Sequence, residues 1–240
     1  MPATFYRWFS ERQKEVTVFG RARRARTERS RLAMVTRHLS PPGLFLEIGP
    51  GQGTLADLAI ASGWQYRGID ASAVLAETLR ARNLAITEAW VPPIPAEDRS
   101  CDVLYADQVL EHMAGIDAAR ALVAEARRVV RPGGIFFAVV PDYLKERGFF
   151  WDVDYTHNFI TTERRVRQLL YDGGFDIVEV VRQIGATTGL PRDLLAAGAL
   201  LVNIPGTDTL SRWTRTESLL FKTRKNLFQT LAFVARRPSA

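Results

Sequence analysis

Residues 47–53 read Glu-Ile-Gly-Pro-Gly-Gln-Gly, and this stretch decides the fold that the sequence predicts. The apolar run over residues 44–49 predicts a buried strand, and residues 54–62 predict a helix directly after the glycines. Glycines between a strand and a helix allow a tight turn and a close approach of the backbone to a ligand. The stretch therefore predicts a ligand-binding loop at the end of the first strand.

Short apolar runs and helical patterns alternate along the rest of the chain. The pattern predicts further strands over residues 66–70, 84–88, 101–106, 135–140, 175–183 and 227–235. It predicts helices over residues 5–39, 73–82, 118–130 and 162–171, and a turn over 131–134. Such alternation implies an α/β, Rossmann-like fold: a mostly parallel, seven-stranded sheet with helices on both faces. Ligands bind such a sheet beyond the carboxyl ends of its strands.

The predicted organisation is an N-terminal helical cap over residues 1–43 and a main domain over residues 44–240. Residues 185–222 interrupt the alternation between the last two strands and form an insertion there. Leu194, Leu195, Leu201 and Val202 give this insertion an apolar helix. It is interpreted either as a lid beside the substrate or as a peripheral helix or dimer contact.

The position of the third glycine separates two kinds of nucleotide site. A dinucleotide fingerprint G-x-G-x-x-G that starts at Gly49 needs glycine at position 54, where the chain has threonine. The chain instead has G-x-G-x-G with an acidic residue two positions earlier, which resembles the first motif of S-adenosylmethionine-binding proteins. The resemblance implies an S-adenosylmethionine site, with S-adenosylhomocysteine as product, at Glu47, Gly49, Pro50, Gly51 and Gly53.

Asp70 ends the second predicted strand and is followed by Ala71. A carboxylate at this place can accept hydrogen bonds from both hydroxyls of an adenosyl ribose, and charge-assisted bonds are about twice as strong as neutral ones. We assign Asp70 and Ala71 to the cofactor site. In the alternative interpretation, Asp70 only caps the helix that begins near Ser72.

Two further segments make the resemblance specific. Residues 109–112 read Val-Leu-Glu-His, and residues 128–134 read Arg-Val-Val-Arg-Pro-Gly-Gly. Over residues 44–183 the chain resembles the class I methyltransferases that include the ubiquinone, menaquinone and sugar methyltransferases. The resemblance implies methyl transfer from S-adenosylmethionine and a fold with a C-terminal antiparallel strand.

A narrower resemblance concerns the methyl acceptor. Residues 154–157 read Asp-Tyr-Thr-His, followed by threonines at 161 and 162 and by Gly174-Phe175. This pattern is similar to methyltransferases found with glycan and lipid-linked sugar biosynthesis. It implies a small-molecule, sugar or lipid-linked acceptor, and it favours transfer to oxygen.

The chain departs from the family after the third strand. The family has an acidic and a small residue there, then Leu-Pro-Phe, whereas residues 88–95 read Glu-Ala-Trp-Val-Pro-Pro-Ile-Pro. Trp90 and Val91 are the candidates for packing on the adenine. Ordinary core or surface packing of Trp90 is an equal alternative.

Few residues are needed for the chemistry, because positioning can supply about 7–11 kcal/mol of the barrier. His157 is the first candidate for a general base, since imidazole titrates near neutral pH; the alternative is a structural or substrate-binding histidine. Asp107 and Gln108 follow the fourth strand, where methyl group and acceptor meet, and both are assigned to the cofactor site. Asp107 is also the second catalytic candidate. His112 is predicted to anchor the loop, and a role as base is the alternative.

Composition bounds the remaining expectations. One cysteine excludes a disulfide framework and a Cys-rich metal site, so the sequence predicts no metal and a reducing compartment. No signal peptide is visible, and the apolar run over 194–202 is shorter than the roughly 20 residues that span a bilayer, so a cytoplasmic location is expected. Basic clusters near both ends and a net charge of +6 leave open a peripheral membrane contact through residues 185–222, and a homodimer is also open.

Other functions fit less well. Amino-directed DNA methyltransferases carry Asn/Asp-Pro-Pro-aromatic after the fourth strand, where residues 107–110 read Asp-Gln-Val-Leu. A base-C5 enzyme needs a Pro-Cys nucleophile, but Cys101 follows Ser100. Nucleic acid is therefore an unfavoured partner, although an RNA or DNA methyltransferase stays an alternative. A non-catalytic scaffold would tolerate a damaged glycine loop, and the loop is intact.

Overall fold

The computed structural model describes residues 17–239 of the chain. Across them one seven-stranded sheet has the order β3-β2-β1-β4-β5-β7-β6. Its strands are Leu44–Ile48 (β1), Gln65–Asp70 (β2), Ile86–Glu88 (β3), Cys101–Asp107 (β4), Val130–Pro141 (β5), Asp176–Ile184 (β6) and Gln229–Arg236 (β7). The first five strands pair in parallel, and β7 is antiparallel to β5 and β6. The predicted fold class is confirmed.

Helices cover both faces of the sheet. In the described chain they are Val18–Thr36 (α1), Thr54–Ala61 (α2), Ala73–Arg80 (α3), Ile116–Val129 (α4), Tyr143–Glu146 (α5), Gly148–Val153 (α6), Glu163–Asp172 (α7), Gly189–Val202 (α8), Thr207–Trp213 (α9) and Glu217–Asn226 (α10). A 3₁₀ turn, Leu110–His112, follows β4. The predicted N-terminal helix falls partly outside the described residues, and α1 begins after Thr17, whose Oγ1 accepts a hydrogen bond from the amide of Gly20 at 3.1 Å.

The core forms on both sides of the sheet, because side chains of a strand alternate between its faces. In β4, Leu104 and Ala106 pack in the cluster that includes α4 and α7. Val103 and Tyr105 pack in the opposite cluster, which includes α1, α2 and α3. Burial of each large apolar side chain contributes about 1.5–3 kcal/mol. Helix α1 is thus part of the core and lies against the central strands.

The turn predicted over residues 131–134 is wrong, because β5 begins at Val130 and includes this segment. Val130 pairs with Cys101 and Ile135 pairs with Val103, so the intervening residues bulge from the ladder. The amide of Gly133 donates to the carbonyl of Arg237, and the amide of Arg237 donates to the carbonyl of Gly134. Hydrogen bonds with the chain end after β7 therefore override the local turn signal.

Helices α8, α9 and α10 occupy the predicted insertion between β6 and β7. β6 ends at Ile184 and β7 begins at Gln229, so these helices join the sheet at the same edge as the carboxyl ends of the parallel strands. The cap, the domain boundary and the lid role stay predictions. Within residues 17–239, no helix combines the length and apolar character needed to cross a membrane.

Candidate functional site

The glycine loop connects β1 to α2 and has backbone angles that favour glycine. Gly49, Gly51 and Gly53 have φ values of +72°, +54° and +73°. A Cβ on Gly53 would lie 2.9 Å from Cδ2 of Leu79 in α3, whereas Cβ atoms on Gly49 and Gly51 would approach no described atom closer than 3.8 Å. Gly53 thus permits close helix packing, and the first two glycines leave room above the loop.

A cavity of about 250 Å³ lies beside this loop, between the ends of β1, β2 and β4. Strand order reverses at this place, since β1 lies between β2 and β4. Eight residues predicted for the cofactor line the cavity: Gly49, Gly51, Asp70, Ala71, Trp90, Val91, Asp107 and Gln108. Glu47, Pro50 and Gly53 are not among its lining residues.

Several lining residues were not predicted. They are Ile48, Ile69, Leu75, Ala89, Val109, His112 and Met113. Ile48 and Ile69 are the last apolar residues of β1 and β2 before the loops, so their position at strand ends was a usable signal. Leu75 and Met113 carry no such signal, because only the packing of α3 and the 3₁₀ turn brings them to the cavity.

Asp70 lines the cavity, and one oxygen of its carboxylate is hydrogen-bonded within the protein. Its Oδ1 accepts a hydrogen bond from the amide of Ser72 at 2.8 Å. Burial raises the pKa of Asp70, while the amides of Ser72 and Gly51 act in the opposite direction. Ser72 itself caps α3, since its Oγ accepts from the amide of Leu75. A cap by Asp70 is therefore not required, and its carboxylate borders the cavity.

Glu47 lies buried beneath the loop. Its Oε2 accepts a hydrogen bond from the hydroxyl of Tyr66 at 2.6 Å. Burial raises the pKa of Glu47 to about 8, although the hydrogen bond from Tyr66 lowers it. The contact links β1 to β2 and supports the loop from below. Its predicted direct contact with the cofactor stays a prediction.

Asp107, at the end of β4, is held by Arg31 of α1. The guanidinium of Arg31 forms a short ion pair with Oδ2 of Asp107, and its Nε donates to Gln183 in β6. Burial lowers the pKa of Arg31, but the carboxylate of Asp107 raises it above its ordinary value. Glu28, which accepts a hydrogen bond from the hydroxyl of Tyr105, also lies 3.8 Å from the guanidinium of Arg31. Sequence reasoning missed Arg31 because it lies 76 residues before its partner.

The 3₁₀ turn after β4 and the 154–157 segment lie against each other. The carbonyl of Glu111 accepts hydrogen bonds from the amides of Asn158 and Phe159 at 2.8 and 2.9 Å. These bonds place His112 at the cavity wall, whereas the lining residues do not include His157. The two imidazole rings are in edge contact, with centroids 4.9 Å apart. The predicted base thus lies behind His112, for which anchoring of the loop was the favoured prediction and a role as base was the alternative.

Hydrogen bonds orient both histidines. Nδ1 of His112 lies 2.8 Å from Oγ1 of Thr156, which donates to Oδ1 of Asp154 at 2.7 Å. Because Thr156 uses its proton for Asp154, it accepts from Nδ1–H of His112 and leaves Nε2 as the basic nitrogen. Nδ1 of His157 lies 2.6 Å from the carbonyl oxygen of Phe150. Both imidazoles are consequently oriented by their Nδ1 contacts.

Burial suppresses protonation of these rings. It lowers the pKa of His112 to about 4, and the adjacent His157 acts in the same direction. Burial also lowers the pKa of His157, against the carbonyl of Phe150 and the charge of Asp154. His112 is therefore neutral at physiological pH, and the same burial makes it a weaker base than an exposed imidazole.

Glu111 lies next to the two histidines. It is fully buried, and neither carboxylate oxygen has a hydrogen-bond partner among the described residues. Burial raises its pKa well above the ordinary value. One ligand atom from each of Glu111, His112 and His157 lies within 4.8 Å of the others, a spacing that a metal ion could use. The predicted absence of a metal stays a prediction.

Residues 19–180 match a family model described as a methyltransferase domain. A probable S-adenosylmethionine-dependent methyltransferase of Mycolicibacterium smegmatis is 30% identical over 139 residues, 57% of this chain and 53% of that protein. An uncharacterized 37.1 kDa protein in transposon TN4556 of Streptomyces fradiae is 36% identical over 176 residues, 66% of this chain and 49% of that protein. The chain spans about half the length of these curated relatives.

Solved structures share the fold at low sequence identity. A chain from the complex between the Haloferax volcanii Trm112 methyltransferase activator and a putative methyltransferase has a TM-score of 0.63 at 17% identity, covering 90% of this chain and 91% of that one. Geranyl diphosphate C-methyltransferase from Streptomyces coelicolor has a TM-score of 0.60 at 17% identity, covering 88% and 80%.

Proposed function

The chain belongs to the methyltransferase-domain family and uses S-adenosylmethionine, and from this premise we propose that it methylates a hydroxyl oxygen of a small-molecule, sugar or lipid-linked acceptor. The observation that carries the proposal is His112, a neutral imidazole at the cavity wall whose Nδ1 is bound through Thr156 to Asp154. A neutral hydroxyl needs such a base, since its proton must leave as oxygen gains the methyl group.

Residues around the cavity fit the cofactor. The open space above Gly49 and Gly51 suits the amino-acid portion, and the carboxylate of Asp70 suits the ribose hydroxyls. Trp90 and Val91 line the cavity and are assigned to the adenine. When bound, S-adenosylmethionine supplies a methyl group that is activated by the positive charge on sulfur.

His112 would take the proton of the acceptor during transfer. As the acceptor oxygen gains the methyl group, Nε2 of His112 would take the hydroxyl proton. The imidazolium would then carry the positive charge that the methyl donor gives up, so the net charge of the site would be unchanged. Burial disfavours imidazolium, but Asp154 opposes this effect. Thr156 and Asp154 are thus positioning residues for the base.

The two catalytic residues expected from sequence take supporting roles in this proposal. Asp107 is ion-paired with Arg31, and this contact anchors the end of β4 to α1. His157 packs behind His112 and holds its ring plane. Gln108, at φ +54°, lines the cavity beside them and is assigned to cofactor or acceptor contact.

His112→Ala tests the assignment. Loss of a general base lowers turnover by roughly 10²–10⁴-fold. We expect methyl transfer from labelled S-adenosylmethionine into a cell-extract acceptor pool to fall accordingly, while calorimetric S-adenosylmethionine affinity changes little. His157→Ala is the matched variant, with a smaller expected loss of turnover.

Each result that contradicts the proposed role of His112 or the proposed acceptor points to a different assignment. Full turnover by His112→Ala, with loss only in His157→Ala, would restore His157 as the base. Loss of activity after dialysis against EDTA, regained with a divalent ion, would assign the histidines to a metal instead. Label recovered in RNA or DNA rather than in lipids or small molecules would overturn the proposed acceptor.

A further inference from the structure

Helix α8 has an inverted arrangement of polar and apolar residues. Leu190, Leu194 and Leu201 share one side of the helix and are 72%, 68% and 68% exposed. On the opposite side Arg192 and Ala199 are buried, and Arg192 bonds to Gln229 of β7. A surface helix normally buries its apolar stripe. In the described chain, the apolar side of α8 therefore lacks the covering it requires.

Helix α9 continues this exposure. Leu210 and Trp213 lie one turn apart, and the side chain of Trp213 is 83% exposed. Single exposed apolar residues are ordinary, but clustered ones mark interaction sites. We define the α8–α9 surface by five exposed side chains: Leu190, Leu194, Leu201, Leu210 and Trp213.

Basic residues follow the apolar ones. No charged residue occurs between Asp193 and Asp208, whereas Arg212, Arg215, Lys222 and Lys225 are exposed beyond it. Residues 185–226 contain six basic and three acidic residues. Exposed leucines followed along the chain by tryptophan, lysine and arginine are typical of helices that lie in the headgroup region of a bilayer.

This charge pattern indicates which kind of partner the α8–α9 surface binds. A second copy of the chain would bring like basic residues together, on a molecule that already carries a net charge of +6. An anionic lipid surface provides complementary charge, and each lysine or arginine near it adds to the attraction. The α8–α9 surface therefore fits an anionic bilayer better than it fits itself.

We propose that the α8–α9 surface binds the headgroup region of an anionic lipid bilayer and holds the protein there peripherally. Helices α8–α10 join the sheet at the edge where the cavity lies, so binding would bring that edge toward the membrane. Membrane binding is independent of the proposed acceptor and of catalysis. It would favour a lipid-linked acceptor only as a consequence.

Vesicle flotation of the full chain tests the proposal without an activity assay. We expect binding to phosphatidylcholine vesicles that contain phosphatidylglycerol to be at least about tenfold tighter than to phosphatidylcholine alone. Raised salt should weaken it, because screening shortens the reach of surface charge. The variant Leu194→Gln/Leu201→Gln should weaken binding by at least about tenfold, since it removes two apolar contacts.

The matched control is Ile60→Gln/Ile116→Gln, which changes two exposed isoleucines on α2 and α4. It should bind vesicles like the natural chain. Trp213→Ser gives a second, independent test if the leucine variant does not fold. Absent vesicle binding, or equal binding by the leucine variant, overturns the proposal. A dimer in light scattering that the leucine variant dissociates would assign the surface to a second copy instead.

Discussion

Two glycines of one loop have different physical tasks. Gly53 combines a φ of +73° with a Cβ position 2.9 Å from Leu79, so both backbone and packing require glycine. Gly51 has a φ of +54°, but a Cβ there would approach no described atom closer than 3.8 Å. The requirement at Gly51 comes from its backbone and from the space that a cofactor would take.

Alanine at these positions should separate stability from binding. Gly53→Ala should lower the free energy of unfolding by roughly 2–4 kcal/mol, because strain adds to overpacking. Gly51→Ala should cost about 1–2 kcal/mol of backbone strain and weaken S-adenosylmethionine binding at least tenfold. Urea unfolding and calorimetry measure the two effects. An equal loss of stability in both variants would contradict the assigned packing of Gly53.

His112 should make stability depend on pH. Its pKa falls from 6.5 to about 4 on folding, so between these values the unfolded chain binds more protons. The contribution of neutral His112 to the free energy of unfolding is fully present above pH 6.5 and is lost as pH falls toward 4. Urea unfolding at pH 7.5 and 4.5 should show a loss roughly 2–3 kcal/mol larger for the natural chain than for His112→Gln.

A nuclear magnetic resonance titration checks the same residue directly. The chain has three histidines, so His112→Gln identifies its ring signals by difference. We expect those signals to titrate near pH 4. A midpoint near the ordinary value would show that the ring is more hydrated than the structure has it.

At the scale of elements, the Arg31–Asp107 pair connects α1 to the end of β4. Arg31 is buried, and its partner lines the cofactor cavity. Removing one member of a buried pair leaves an unpaired charge, at a cost of about 3–5 kcal/mol, whereas an apolar pair can replace both. The ion pair thus couples the stability of α1 to the geometry of the cavity.

A double-mutant cycle tests this coupling. Arg31→Met should destabilise the fold by about 3–5 kcal/mol, and Arg31→Met/Asp107→Leu should be more stable than that single variant. Asp172→Asn, which breaks the exposed pair with Arg120, is the control and should cost less than about 1 kcal/mol. Strict additivity of the two core substitutions would argue against a direct pair.

For the whole molecule, the cofactor should act as a stabiliser. A ligand that binds only the folded state at 100 times its Kd adds about 2.7 kcal/mol. For a chain of this size each kcal/mol raises Tm by about 2–4 °C, so S-adenosylmethionine should raise it by roughly 5–10 °C. NAD is the control ligand in this thermal-shift measurement, with no expected shift because Gly53 precedes the dinucleotide position. A shift with NAD alone would overturn the assignment of the glycine loop.

Local signals in the sequence determined the α/β alternation, the glycine loop and the position of Asp70 at the end of β2. These features depend on neighbouring residues, because strand period, turn chemistry and helix start are set within a few positions. The same locality explains the error at residues 131–134. The residues typical of a turn can be recognised there from the sequence, but their hydrogen bonds with the segment after β7 cannot.

Only the tertiary structure decided which histidine borders the cavity, which residue holds Asp107 and which side of α8 is exposed. His112 lies 44 residues from Thr156, and Arg31 lies 76 residues from Asp107, so neither contact leaves a local pattern. The orientation of α8 depends on its contacts with β6 and β7. Arg192, and not the leucines, lies on the side of α8 that faces the sheet, where it bonds to Gln229 of β7. The periodicity of a sequence identifies the apolar and polar faces of a helix, but the elements that pack against the helix determine which face is buried.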